Sequence, residues 1–389
     1  MLADTDVGSV ITAGQSGVQW GYRLLLLQLV LMPILYIVQE LTVRLGIFTG
    51  RGHGELIRET FGPFWAWVSA IGLAVASCGA LLSEFSGVAG VGELFGVSRA
   101  ITLPMAAIAL LAVVMTGSYR RVERIAIIIG LFELAFFAVA WAAHPDPAAM
   151  LQQAVDIPVR NPDYMYLVAA NIGAVIMPWM IFYQQSAIAD KRLGPEHFTA
   201  ARWDTAIGAV ITQLVMAAVL ISAASTLGGV GGGASTSLAT VGEMSAALTP
   251  LLGPQIGRVV FGLGVLGAGL VAAIVASLAL AWGLGEVAGY RRSLEFRPLQ
   301  ARWFYGCYAA CVIGGATVVG VAPNLVSLNV AVQVMNALLL PLVLGFLFLL
   351  AVRSLPPAVR LRGWYKYVVL VVGGVTCGLG VWGGLGTLF

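Results

Sequence analysis

Charged side chains are scarce in this sequence: Asp, Glu, Lys and Arg make up 10% of its 389 residues, where soluble domains carry roughly a quarter. With 59% apolar residues and a mean hydropathy of +0.93, that scarcity excludes a soluble globular protein and leaves no room for a large soluble domain. Cysteine occurs four times. Cys78, Cys307, Cys311 and Cys377 all sit in apolar runs without paired metal-ligand spacing, so they read as small packing residues. Histidine occurs only at His53, His144 and His197, in loops or at span ends. The apolar runs hold no Ser/His pair, paired-aspartate motif or His-Glu-x-x-His, which argues against an intramembrane enzyme. A formal net charge of +3 is too small to signal a nucleic-acid partner. The Gly-rich, Ser/Thr-rich stretch in 227–254 has no strand to precede it, so it reads as a flexible connection and not a phosphate cradle.

What is present is a series of long apolar runs. A helix needs about 20 apolar residues to cross a bilayer, which allows roughly ten to twelve crossings. Eleven are expected, at 3–18, 20–45, 64–93, 98–117, 122–143, 163–188, 199–226, 255–288, 300–321, 324–352 and 365–388. The first has almost nothing ahead of Asp4 and no basic leader, so it is not a signal peptide. A discontinuous helix there would need more residues before its break than this sequence holds, so the first span reads as trimmed. Alternate loops collect the basic residues: Arg44, Arg51 and Arg58; Arg120, Arg121 and Arg124; Lys191, Arg192 and Arg202; Arg291, Arg292, Arg297 and Arg302; Arg353, Arg360, Arg362 and Lys366. Only Arg23, Arg99, Arg160 and Arg258 fall on the other side. The positive-inside rule then expects a plasma (inner) membrane protein with a cytoplasmic amino terminus and its carboxyl terminus outside.

Carboxylates inside a bilayer are costly and each needs a reason. We count five within or near the spans: Asp4, Asp6, Glu40, Glu84 and Glu133. Glu40 and Glu133 read as interhelical hydrogen-bonding groups or neutral acids. Asp6 lies in Asp4-Thr5-Asp6-Val7-Gly8-Ser9, where small polar side chains compete for backbone hydrogen bonds and Gly8 weakens the helix. A break here would expose carbonyls. The sixth span carries a second break, Asn171-Ile172-Gly173-Ala174-Val175-Ile176-Met177-Pro178-Trp179-Met180. Pro178 has no N–H for the carbonyl of Ala174, and Met177 sets a soft sulfur on the same face as that carbonyl. Breaks in helices one and six, each opening a five-helix half, point to an inverted repeat with its site at the midplane. The halves are 1–143 and 163–352, followed by an extra helix at 365–388, in one transmembrane domain spanning 1–389.

At these residues the sequence resembles the NRAMP family of divalent-metal transporters. Asp6-Val7-Gly8-Ser9 is similar to the family's Asp-Pro-Gly-Asn, and Gly17-Val18-Gln19-Trp20-Gly21-Tyr22 to its Gly-x-Gln-aromatic-Gly-Tyr. Leu45-Gly46-Ile47-Phe48-Thr49-Gly50 resembles Leu-Gly-Ile-Val-Thr-Gly. Ala174-Val175-Ile176-Met177-Pro178-Trp179-Met180 resembles Ala-x-x-Met-Pro-His-Asn. The resemblance implies an all-α integral membrane protein with a LeuT-type five-plus-five inverted repeat and discontinuous helices 1 and 6. It implies Asp6, the Ala174 carbonyl and Met177 as metal ligands, Ser9 in place of the family asparagine, and Glu84 as an acid near a proton route. Trp179 stands where the family has histidine, and a second histidine falls at Gln184 or Gln185. Neither replacement titrates near neutral pH, which resembles the NRAMP-related magnesium transporters and implies weak or absent proton coupling. Met177 favours softer ions such as manganese.

Thr5, Asn329 and Gln333 are further candidates for the pathway; Asn329 and Gln333 lie one turn apart and also suit interhelical hydrogen bonding. Gln184 and Gln185, beside Asp190, Lys191 and Arg192, suit a gate or a polar interface. The expected function is alternating-access transport of manganese or magnesium by a monomer in a lipid bilayer. The metal is the substrate; no cofactor and no nucleic acid is implied. An amino-acid or organic-amine carrier on the same architecture, and a non-transporting NRAMP-like sensor, are the alternatives.

Overall fold

The computed structural model describes residues 5–116, 118–226, 241–248, 253–321 and 325–386. Asp4 and the glycine run at 228–233 lie outside the described residues. The helices are α1 (Val7–Trp20), α2 (Leu25–Thr49), α3 (His53–Phe61), α4 (Pro63–Leu94), α5 (Arg99–Val114), α6 (Tyr119–Gly130) and α7 (Ala135–Ala142) in the first half, with α8 (Pro147–Ala154) in the connection that follows. The second half has α9 (Pro162–Val175), α10 (Pro178–Asp190), α11 (Phe198–Thr226), α12 (Val241–Leu248), α13 (Pro254–Ala288), α14 (Arg302–Val321) and α15 (Leu325–Arg353), followed by α16 (Gly363–Leu385).

The eleven expected crossings are α1, α2, α4, α5, α6 with α7, α9 with α10, α11, α13, α14, α15 and α16. Among the described residues nine apolar runs meet the length and hydropathy a crossing needs, α1 and α2 together making one of them through a 3-10 turn, and the 16-residue α5 falls short. The fifth crossing changes to a 3-10 turn over Leu131–Leu134, at the buried Glu133. Helices at matching places in the two halves pack on each other, α1 on α9, α2 on α11 and α4 on α13. The broken sixth crossing is central, with 94% of its most apolar stretch buried, against 28% for the peripheral α16. Ile71, Ile108, Ile128 and Val321 are exposed on surfaces that suit hydrocarbon and would be a liability in water.

Three expectations need correction. Asp6 does not sit inside a helix spanning 3–18: it is the N-cap of α1, with extended backbone (φ −112°, ψ 170°). The stretch 227–254 is not all loop, because Val241–Leu248 is helical and Val241 packs against Gly90 of α4. His53 is neither in a loop nor at the end of a span; it is the first residue of α3 and fully buried.

The basic loops gather at one end of the bundle. Lys191 pairs with Glu123, Arg292 with Glu55 and Arg202 with Glu40; Arg44 donates to the Val359 carbonyl and Thr60 meets Ser354. These contacts link all five basic segments, and we call this the basic end. At the opposite end Arg23 pairs with Asp156 at 2.8 Å.

Candidate functional site

The first break is built by local hydrogen bonds at the α1 N-terminus. Ser9 N–H donates to Asp6 Oδ1 at 2.6 Å, while the Ser9 hydroxyl accepts from Asp6 N–H at 3.0 Å and donates to the Asp6 carbonyl at 2.8 Å. This reciprocal capping box satisfies donors that a helix start leaves orphaned. Glu84 of α4 completes the cap, accepting the Val7 N–H through Oε2 at 3.0 Å. The other oxygens, Asp6 Oδ2 and Glu84 Oε1, are buried without a hydrogen-bond partner, and the two side chains face one another. Two ionised carboxylates in a dry interior repel, and a bound cation or a shared proton relieves that repulsion. Thr5, also buried, adds a hydroxyl without a partner.

The second break spans two extended residues. Ile176 (φ −113°, ψ 86°) ends α9 and Met177 (φ −91°, ψ 132°) begins α10, with Pro178 as its first helical residue. Proline supplies no N–H for Ala174, so the chain restarts with Met180 N–H on the Met177 carbonyl at 3.1 Å. Met177 and Trp179 are fully buried, and Trp179 Nε1 has no hydrogen-bond partner.

Gln333 of α15 stands beside both breaks. A Cβ on Gly8 would collide with its amide and with Ser83, and a Cβ on Gly173 would collide with its backbone carbonyl. The glycines therefore let α1 and α9 close onto one point of α15. Gln333 Oε1 accepts from Asn336 at 2.9 Å, and its Nε2 is buried without a partner. Asn329, one turn away, donates to Ser86 at 2.5 Å and accepts from Ser83, tying α15 to α4.

The two glutamines of α10 separate. Gln184 is half-buried with an unpartnered Oε1. Gln185 is fully buried, facing His53 Nδ1 at 2.9 Å and donating to the Arg51 carbonyl at 3.0 Å. Beside it Ser186 donates to Glu286 Oε1 at 2.5 Å, and Glu286 Oε2 accepts the Gly54 N–H at 2.8 Å. Glu286 is missing from our count of five carboxylates although it lies within 255–288; intramembrane position alone should have flagged it. Glu40 pairs with Arg44 at 2.5 Å and, across the helices, with Arg202 at 3.6 Å. Towards the opposite end, Asn171 accepts from Gln28 at 2.6 Å and donates to Ser16 at 2.8 Å, joining α9, α2 and α1.

Among the described residues no cluster of three or more His, Cys, Asp or Glu could hold a metal. A cation site among these residues would therefore add carbonyl, hydroxyl, amide or thioether atoms to at most two such side chains.

The family description "Natural resistance-associated macrophage protein-like" matches residues 1–385. The chain belongs to the NRAMP family. A divalent metal cation transporter MntH of Klebsiella pneumoniae is 31% identical over 285 residues, 70% of this chain and 67% of that protein. The MntH of Brucella suis is 29% identical over 289 residues; the aligned part is 70% of this chain and 62% of the relative, so the chain spans about three-fifths of that relative's length. Among solved structures, a manganese transporter of Eremococcus coleocola superposes with a TM-score of 0.77 at 16% identity, covering 98% of this chain and 83% of that one. Mhp1, a nucleobase-cation-symport-1 family transporter, gives 0.61 at 15% identity over 99% and 88%. At these identities the structures show the shared LeuT-like fold.

Proposed function

We propose that this protein carries divalent metal cations across a membrane by alternating access, with manganese favoured and magnesium the second ion. One observation carries the reading: two backbone breaks, one holding Asp6 and the other Met177, sit on helices that close onto the same point of α15 at Gln333. Asp6 supplies charge, the Ala174 carbonyl and Ser9 hydroxyl supply hard oxygen, and Met177 supplies the soft atom that prefers manganese or cadmium. The named relatives are manganese and divalent-metal transporters, which supports the same reading. An organic carboxylate as cargo fits poorly, because it would meet Asp6 and Glu84 at the α1 N-terminus.

Proton coupling is weak or absent on this reading. Trp179, Gln184 and Gln185 do not titrate, and Glu84 spends Oε2 on the Val7 N–H. The pathway runs past Thr5, Glu84, Trp179, Gln184, Gln185, Asn329 and Gln333. The basic end faces the cytoplasm of a plasma membrane and the carboxyl terminus lies outside. The chain acts as one transport unit, halves 1–143 and 163–352 with a helix appended.

Manganese uptake into proteoliposomes tests this. Asp6→Ala abolishes uptake with folded protein retained, and Met177→Ala narrows the preference for cadmium and manganese over magnesium. Uptake by Asp6→Ala within twofold of wild type removes the site from this position, and no uptake by wild type favours a sensor.

A further inference from the structure

We infer that His53 is a positioning residue for transport: its neutral ring latches α10 to α3 at the basic end, and a proton on Nε2 releases that latch. The hydrogen bonds fix the tautomer. Gln185 Nε2 donates to the Arg51 carbonyl at 3.0 Å, and a carbonyl can only accept, so Gln185 presents Oε1 to the imidazole. Oε1 can only accept as well, hence His53 Nδ1, 2.9 Å away, carries the hydrogen. Nε2 is then bare, buried and without a partner.

An arriving proton has only Nε2 to occupy. There it would create a charged ring in full burial, packed edge-on against Phe182 at 4.8 Å between centroids, with no acceptor for the new N–H. Burial accordingly pushes His53 down to about 4, against the opposing effect of the Gln185 hydrogen bond. No surrounding charge offsets this. From α13, Glu286 is held by Ser186 and Gly54 on the backbone side of His53, and Arg292 beyond it pairs with Glu55. From α15, Arg353 stacks over Phe61; α10 brings only Asp190, which accepts from Leu294 N–H at 3.3 Å. The described part of α4 near α3 carries no charged residue. On the His53 segment itself, Arg51 pairs with Glu59 and Arg58 donates to the Val287 carbonyl.

Opening of α3 would hinge at Gly50 (φ +63°) and Gly62 (φ +89°), which bound its nine residues in left-handed backbone. Opened to water, the imidazole returns to the usual range near 6.5. Acidification from pH 7.5 to 5.5 therefore shifts the closed-to-open ratio roughly tenfold toward open. The proton gates the path without being carried, and this consequence for flux rests on the transport reading, whereas the latch is tested without cargo.

The test is hydrogen–deuterium exchange of the purified full chain in detergent at pH 7.5 and 5.5, corrected for intrinsic exchange. Segments 53–61 and 183–190 should open about tenfold more at pH 5.5. His53→Asn, whose amide keeps a donor at the Nδ1 position without titrating, should lose that response. A flat wild-type profile, or an unchanged response in His53→Asn, overturns the inference. So does a response lost in Glu286→Gln but kept in His53→Asn. Should His53→Asn fail to fold, Gln185→Glu places an acid against the ring and must raise the midpoint; an unmoved midpoint also overturns it. Manganese uptake by proteoliposomes at the two pH values then reads the flux, and absence of uptake at both counts against the transport reading while the exchange result stands.

Discussion

The two halves of the broken sixth helix are held in different ways. α9 is fixed by Gln28, Ser16 and Asn171, a chain of amides and a hydroxyl in which nothing titrates. α10 is fixed by His53 against Gln185 and by Glu286 against Ser186, two titratable groups facing two that are not. Both sets are buried and both bridge three helices. The difference is one of control: the α9 closure has the same strength at any physiological pH, whereas the α10 closure can be weakened by a proton.

The severest way to break the comparison is to remove what both closures depend on, the approach of helix six to α15. Gly173→Ala puts a methyl into the Gln333 backbone carbonyl and the Ala337 nitrogen, atoms that cannot rotate away. Overpacking against a fixed backbone costs about 3 kcal/mol, so the variant should lose thermal stability sharply and yield little monodisperse protein. A variant as stable as wild type would mean α9 does not seat against α15 as described.

How much of this was legible beforehand follows the range of each interaction. The second break could be read because Pro178 acts on Ala174 four residues back, and the first because a polar, Gly-containing run is local. Gln333 could only be weighed as one polar residue of a helix, since its place depends on Gly8 and Gly173, both far away in sequence. His53 was misjudged because Gly50, Gly52 and Gly54 around it look like a loop; Leu56 and Ile57, both buried, show the apolar face that docks α3. Gln184 and Gln185 could not be ranked, since one residue's rotation on α10 decides which faces α3. Glu40 was read without Arg202, which reaches it from α11.

On the α9 side, Asn171→Ala strips Gln28 Nε2 of its acceptor in a buried interface. That costs about 1–2 kcal/mol. The loss should be equal at pH 7.5 and 5.5 by thermal unfolding, and a pH-dependent loss would erase the distinction between the two closures.

On the α10 side the pH itself is the perturbation. His53 is depressed to about 4 in the folded chain, so below 6.5 the unfolded chain binds more protons. Stability is then complete above pH 6.5 and falls as pH drops toward 4. Between pH 7.5 and 5.5 the contribution lost is about 1 kcal/mol, read as a lowered Tm that His53→Asn no longer shows. A Tm difference of the same size in His53→Asn would assign the sensitivity to other groups, Glu286 of the same closure first among them.

The smallest effect is expected from Ser16→Ala, and its smallness is informative. Asn171 Nδ2 has two hydrogens, one on the Ser16 hydroxyl and one on the Leu167 carbonyl at 2.7 Å. Removing the hydroxyl takes one acceptor and leaves the other, and Gln28 keeps its bond to Asn171 Oδ1. The Thr12 carbonyl that Ser16 also engages sits within α1 and keeps its helical partner. The expected cost is therefore about 0.6 kcal/mol or less, the average for a hydrogen bond between membrane helices, again equal at both pH values. A loss as large as that of Asn171→Ala would show that the contact between α1 and α9 carries the closure and that Gln28 of α2 adds little; the α9 lock would then be a two-helix device.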